Sequence, residues 1–210
     1  MGLRIRQHVN PLHAHFETFR GHKPTFQPGR RVEVEIGCAD AQFLFERAAL
    51  DPSRTYVGLE IREDLVNLVN KRAAQQRVPV HAVFCQAQLH IDEIFGDTKV
   101  ERVYLNFPDP WFKKRHRERR MIDDRLIAAI ARVVKPGGDL FVQSDVWDVA
   151  IDAMAVIEQR DAWFTNLAPA GEWSFWRMGN PFGARSWRES NAAEEGLPVW
   201  RMLYRRTAAP

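Results

Sequence analysis

Two hydrophobic periods alternate along the chain. Val32-Glu33-Val34-Glu35-Ile36 steps by two through β-branched residues, as a strand does, and stops at Gly37. From Asp40 to Leu50 the apolar positions Phe43, Leu44 and Ala48 recur at the spacing of one helix face. The pair then repeats. Tyr56–Leu59 predicts a second strand ending at Glu60, and residues 63–76 predict a helix with Leu65, Leu68, Val69 and Ala73 inward. Residues 78–85 and 102–107 read as third and fourth strands, with no element assigned between them. A helix over 122–134 carries Leu126, Ile127, Ile130, Val133 and Val134 on one side, with Asp123 as its cap, and Lys135-Pro136-Gly137-Gly138 stops it. Residues 139–144 form a fifth strand and 147–160 a further helix. A loop rich in Trp, Arg and Gly spans about 171–197, before a last strand over 199–205. Strands and helices alternating at short spacing predict an α/β fold with an open, mostly parallel sheet and helices on both faces.

At 210 residues the chain is long enough for one domain with a proper core. Residues 1–30, with Arg4, Arg6, His8, His13, His15, Arg20, His22 and Lys23, read as a basic N-terminal arm, and 31–210 as a single domain. Net charge is only +3, yet the pI is about 9.1, so the positive charge is concentrated locally, as a nucleic-acid partner requires. Cys38 and Cys85 have neither metal-ligand spacing nor a disulfide framework, which fits a reducing cytoplasm. His13 and His15 have no acid or cysteine beside them, and no metal is expected. No apolar run approaches a membrane span, and the first residues lack a signal-peptide core.

In an open α/β sheet, ligands sit at the carboxyl ends of the strands. That edge gathers Glu35 and Gly37, Glu60, Cys85 and Gln86, Asp109, and Ser144 with Asp145. A strand, a glycine turn and a helix N-terminus make a nucleotide pocket, and an acid ending the next strand suits a ribose. Gly37 and Glu60 have those positions. The stretch Tyr104 to Met121, YLNFPDPWFKKRHRERRM, holds Asp109 between Pro108 and Pro110. Prolines fix the backbone on both sides, so this carboxylate is presented rigidly. Lys113, Lys114, Arg115, His116, Arg117, Arg119 and Arg120 follow as a candidate polyanion clamp. Five of the tryptophans (Trp163, Trp173, Trp176, Trp187 and Trp200) fall in the last quarter, and Trp111, Trp173, Trp176 and Trp187 are candidates to stack on a base.

The segments VEIGCADAQF (34–43), YVGLEI (56–61), YLNFPDPWFKKRHRERRM (104–121), VVKPGGDLFVQSD (133–145) and, more loosely, RSWRES (185–190) resemble the bacterial tRNA (guanine-N7-)-methyltransferases, which use S-adenosylmethionine. The resemblance runs over nearly the whole chain. It implies a class I methyltransferase, Rossmann-like sandwich with a seven-stranded sheet and an antiparallel last strand. It implies cofactor contacts at Glu35, Gly37, Glu60, Gln86 and Asp109, and tRNA contacts near Lys113, Asp145, Ser186 and Glu189, with Arg115 and Arg117 on phosphates. Three departures stand out. Ala39 and Ala41 take positions where the family has further glycines, which is cheap unless φ must be positive there. Gln86 replaces an acid. The Thr-x-Phe-Glu-x-basic motif becomes Ser186-Trp187-Arg188-Glu189-Ser190-Asn191.

The implied chemistry is undemanding in proton traffic. N7 of guanine has a lone pair and no proton, so no general base is required. Placement and a field that tolerates positive charge on the purine are what the protein must supply, with Asp109 the first candidate and Asp145 the second. The base must also leave its stack. The alternative reading is an RNA-binding protein of the same fold with lost or weak turnover, motivated by Ala39, Gln86 and the altered motif after Ser186. A small-molecule methyltransferase is a third reading, which the basic run opposes. Monomer and homodimer stay equally open.

Overall fold

The computed structural model describes residues 17–110, 121–169, 175–176 and 179–208. Thirteen elements follow in chain order: β1 Val32–Ile36, α1 Gln42–Leu50, β2 Thr55–Glu60, α2 Glu63–Gln76, β3 Val80–Phe84, α3 Ala87–Phe95, β4 Val100–Asn106, α4 Asp124–Val133, β5 Val134–Ser144, α5 Trp147–Glu158, β6 Phe164–Asn166, α6 Trp187–Glu194 and β7 Trp200–Arg206. The strands form one sheet in the order β3-β2-β1-β4-β5-β7-β6. The first five run parallel, and β7 lies antiparallel between β5 and β6. This is the predicted sandwich, with α3, α6 and β6 added to what the periodicity gave.

Both faces are covered, which is why the central strands are buried throughout. On one face Val32, Val34 and Ile36 meet Ile91 and Ile94 of α3, Leu126, Ile127 and Ile130 of α4, and Ala150, Ala153 and Ile157 of α5. On the other, Tyr56, Tyr104 and Phe141 meet Phe43 and Leu44 of α1 and Val66 and Val69 of α2. The inward positions of α1 and α4 are those read from the sequence, except that α4 ends at Val133 and Val134 opens β5, and Asp123 caps α4 by accepting from the Leu126 N–H at 2.8 Å. In α2 the buried stripe is Val66, Val69 and Ala73, whereas Leu68 is 54% exposed, so the helix is rotated from its predicted setting. Residues 135–138 lie within β5 as a bulge between two of its pairings with β4, Val134 with Val100 and Asp139 with Arg102, so β5 begins five residues before its predicted start at 139. Along the arm, Phe26 packs on Phe95, Phe19 on His90, and Lys23 pairs with Glu93, so residues 17–30 run along α3.

Under α1 and the 180–185 loop, the sheet carries an alternating row of charge. Glu33, Arg102, Asp139 and Arg205 are neighbours in register across β1, β4, β5 and β7. Arg102 bonds Glu33 and Asp139, Arg205 bonds Asp139, and Arg47 and Arg54 reach Glu33 from α1 and the loop after it. Phe182 closes the row, its ring 4.6 Å from the Arg102 guanidinium. Every charge here has a partner, as burial demands.

Candidate functional site

The turn after β1 is held against β2. The Gly37 and Cys38 N–H groups both donate to the Leu59 carbonyl, and the Ala39 N–H donates to Glu60 Oε2 at 2.9 Å. Cys38 packs so closely on β2 that a Cβ at Gly58 would lie 2.4 Å from its Sγ. Gly37 sits at φ 75, where glycine alone is unstrained. Ala39 at φ 50 and Ala41 at φ 56 share that left-handed region, so the alanine departures do carry strain. Ala39→Gly is expected to raise stability by about 0.5–1 kcal/mol, the relief of the left-handed backbone less the extra freedom of unfolded glycine. A urea midpoint measures it, and a lower midpoint would contradict the strain. Ala41 is buried, so there the lost methyl offsets the gain.

Glu35 is buried at the end of β1. Its Oε1 accepts from Asn106 Nδ2 at 2.8 Å, and its Oε2 has no hydrogen-bond partner. Burial raises its pKa from the ordinary 4.5 to about 8, with the Asn106 bond opposing and the Asp40 and Glu60 carboxylates adding to the rise. A buried acid with one unpartnered oxygen fits a ligand that brings a cation, as the ammonium end of S-adenosylmethionine does. Ala41 offers α1 no side-chain cap, but Asp40 Oδ1 accepts from the Gln42 N–H at 3.3 Å in the first turn. Burial, with Glu60 and Glu35 nearby, pushes the Cys38 thiol far up, and burial with Glu60 does the same at Cys85, so both are held as neutral thiols.

Glu60 is saturated. Oε1 accepts from the Ile61 and Arg62 N–H groups and Arg62 Nε, and Oε2 from Ala39 N–H and Arg62 NH2. Arg62 also feels the charge of Asp109, which brings the ends of β2 and β4 together. Asp109 itself is exposed beyond β4. Phe107 turns the chain toward it at φ 50, held by its N–H on the Gln143 carbonyl at 2.8 Å. Gln86 caps α3 through Oε1 to the Leu89 N–H, and its Nε2 donates to Gln88. Gln88 in turn donates to the Met121 carbonyl, and the Met121 methyl lies 3.6 Å from where a Gly37 Cβ would be. The first four strand ends therefore meet at one edge, and residues 110 and 121 flank it.

On the β5 side Asp145 forms an ion pair with Arg188 of α6. Ser186 caps α6 by accepting from the Glu189 N–H at 3.2 Å. The Glu189 carboxylate is buried and takes bonds from Gln143, Asn180 and Arg201. Glu189, Asn180, Arg185, Leu197 and Arg201 line a cavity of about 540 Å³. Trp187 is 59% exposed at the start of α6, and Trp176 packs on the core. Lys113, Arg115 and Arg117, with Trp111, Trp173, His13 and His15, lie outside the described residues. Among the described residues no group of three or more side chains suits a metal ion, and no helix is long and apolar enough to cross a membrane. Sequence reading missed Arg62, Asn106, Gln143, Arg188 and Arg201. The signal available was a polar residue on the same alternation as Glu35 near the end of each of three apolar strands.

A family profile described as "putative methyltransferase" matches residues 29–200. A tRNA (guanine-N(7)-)-methyltransferase of Synechococcus sp. (strain WH7803) is 39% identical over 98% of this chain and 89% of its own. The chain belongs to the tRNA (guanine-N7-)-methyltransferase family. The enzyme of that name from Thermosynechococcus vestitus is 34% identical over 99% of this chain and 97% of its own. The fold recurs in more distant methyltransferases. A rRNA methylase from Streptococcus thermophilus superposes with a TM-score of 0.53 at 9% identity, covering 85% of this chain and 87% of that one. A precorrin-6y C5,15-methyltransferase from Geobacter metallireducens gives 0.53 at 15%, covering 84% and 80%. Family membership thus rests on the near full-length relatives, and the superpositions support the fold.

Proposed function

We propose that this family member transfers a methyl group from S-adenosylmethionine to N7 of a guanine in the variable loop of tRNA. What carries the reading is the convergence of Asp109 with Glu35, Gly37 and Glu60 at one sheet edge, in a chain so similar to enzymes of that name. The bound cofactor supplies an electrophilic methyl group on a sulfonium sulfur. Glu35 offers Oε2 to the ammonium end, and Gly37, at φ 75 and without a side chain, lets the ligand come close to the turn. Glu60 serves the ribose hydroxyls, which requires Arg62 to release its two side-chain bonds. Gln86 borders the adenine end. Asp109 positions the purine and tolerates its developing charge, and no residue is asked to remove a proton. On the tRNA side, Asp145 meets the guanosine once Arg188 turns away, and Ser186 and Glu189 hold α6 in place for it. Lys113, Arg115 and Arg117 grip phosphates.

The test is methyl transfer from labelled S-adenosylmethionine to unmodified bulk tRNA, with the product nucleoside identified by mass and chromatography. 7-Methylguanosine is the expected product. Tight tRNA binding without product would instead support a binding protein of this fold. Lys113→Ala with Arg117→Ala should make the log–log salt dependence of tRNA binding shallower by about 1.4–1.8, since each phosphate contact contributes about 0.7–0.9. An unchanged slope removes those two side chains from the phosphate contacts.

A further inference from the structure

Glu35 is the end of a hydrogen-bonded chain that crosses four strands. Arg201 of β7 donates from Nε to Gln143 Oε1 at 3.1 Å and from NH2 to Glu189 Oε1 at 2.9 Å. Gln143 Nε2 donates to Glu189 Oε2 at 3.0 Å and to Asn106 Oδ1 at 2.9 Å. Asn106 Nδ2 then donates to Glu35 Oε1. Asn106, Gln143 and Arg201 are neighbours in register on β4, β5 and β7, so the row follows from strand pairing.

The ends of this chain fix its direction. An amide side chain can face either way, with oxygen and nitrogen exchanged. Arg201 only donates, so Gln143 must turn its oxygen toward β7. Its nitrogen is then left for Glu189, which only accepts, and for Asn106. Asn106 must therefore receive on oxygen and pass its own nitrogen to Glu35. Turning either amide over sets donors against donors where Gln143, Glu189 and Glu35 are all nearly inaccessible to water. Each unmade buried bond costs about 1–3 kcal/mol. Buried polar groups are usually paired, and pairing alone says nothing about function. Here, however, the chain ties back one oxygen of Glu35 and leaves the other with no partner.

We propose that Gln143 is a positioning residue for the cofactor site: clamped by the Arg201–Glu189 pair, it orients the Asn106 amide so that Glu35 Oε1 is held and Oε2 faces the ammonium group of the cofactor. The proposal rests on the reading of Glu35 as a cofactor contact. It makes residues of β5, β7 and α6 determinants of cofactor affinity without touching the cofactor. The Asp40 and Glu60 carboxylates oppose the charge of Glu35, the nearby Cys38 thiol stays neutral, and the Asn106 bond favours that charge. Loosening Asn106 should therefore raise the pH at which Glu35 ionises.

Calorimetric titration of S-adenosylhomocysteine, which keeps the ammonium group, across pH 5 to 9 tests this. Affinity in the native protein should rise as Glu35 ionises and fall again as the ligand's ammonium loses its proton. Gln143→Met is expected to weaken binding about tenfold and move the acidic limb to higher pH. The alkaline limb belongs to the ligand and should not move, and kcat at saturating cofactor should change less than threefold. Gln143→Glu, which as a carboxylate cannot donate to Asn106 and so turns it around, should shift the acidic limb further. It carries the test alone if the Met variant does not fold. Weaker binding without a shift of that limb, or unchanged binding, overturns the proposal. A native protein that binds no S-adenosylhomocysteine at any pH overturns instead the cofactor reading beneath it.

Discussion

Glu35→Gln is expected to make the empty protein more stable and, by the same change, to cost it about a hundredfold in cofactor affinity. The stability effect follows from linkage. The folded pKa of Glu35 is about 8 against an ordinary value of 4.5, so between those values the folded state holds a proton that the unfolded state releases. Stability is therefore fully present below about pH 4.5 and lost as pH rises through 8. Each pKa unit is worth about 1.4 kcal/mol. Thermal melts of the ligand-free protein from pH 5 to 9 should show the decline in the native chain, with the variant lacking that component. The affinity effect has the opposite sign, because a glutamine in this place offers the ligand's ammonium no charge. Losing a charge-assisted bond in a dry site costs roughly 1.5–3 kcal/mol, which is the hundredfold at its upper end. Identical pH slopes in the two proteins would mean that Glu35 is not the strained acid. Equal affinities would mean that its free oxygen does not meet the ligand.

A residue kept at a cost to stability is the kind sequence reading finds well. Glu35, Gly37, Glu60 and Asp109 were legible because each is a polar break at the end of an apolar run, and an open α/β sheet sends such ends to one edge. Elements with unusual signals were not legible. α3 begins at Gln86, outside the usual set of capping residues. α6 begins with Ser186-x-x-Glu189, spaced as a capping box but read as a binding motif. α2 carries Leu68 on its outer face, which pulled the predicted stripe around the helix. The largest omission was the pairing of polar side chains across strands. Asn106, Gln143 and Arg201 look like isolated polar residues in the chain, and only register sets them side by side. Register also joins Glu33, Arg102, Asp139 and Arg205. Each polar position can be read along its own strand, but no local pattern says which residue it meets on the next. The positive φ at Ala39 and Ala41 was likewise hidden, since alanine usually signals the opposite.

Asp109→Asn should lower kcat by about 10²–10³, the loss typical of removing one preorganised electrostatic partner from a reacting centre, while tRNA affinity stays within a few-fold. The geometry argues for a field held in place. Pro108 and Pro110 restrict the backbone on either side. Phe107 adopts φ 50 directly before a proline, where a bulky side chain is rarely found, at a cost of order 1–3 kcal/mol. Its N–H on the Gln143 carbonyl anchors that turn to β5, so the strain is borne by the same strand whose side chain orients Asn106. Asparagine keeps the shape and removes the charge. Asp109→Glu keeps the charge and moves it outward by one methylene. If the field acts from a fixed point, both variants should fail at saturating substrates, because misplacement of about 1 Å can cost as much as 10²-fold. If the glutamate variant works and the asparagine does not, charge alone suffices and the rigid turn has another purpose. If the asparagine variant keeps native kcat, Asp109 serves the purine only as a hydrogen-bond acceptor, and the developing positive charge must be met from Asp145. Single-turnover methylation of unmodified tRNA with the three proteins side by side separates these cases, since product release does not enter the measured rate.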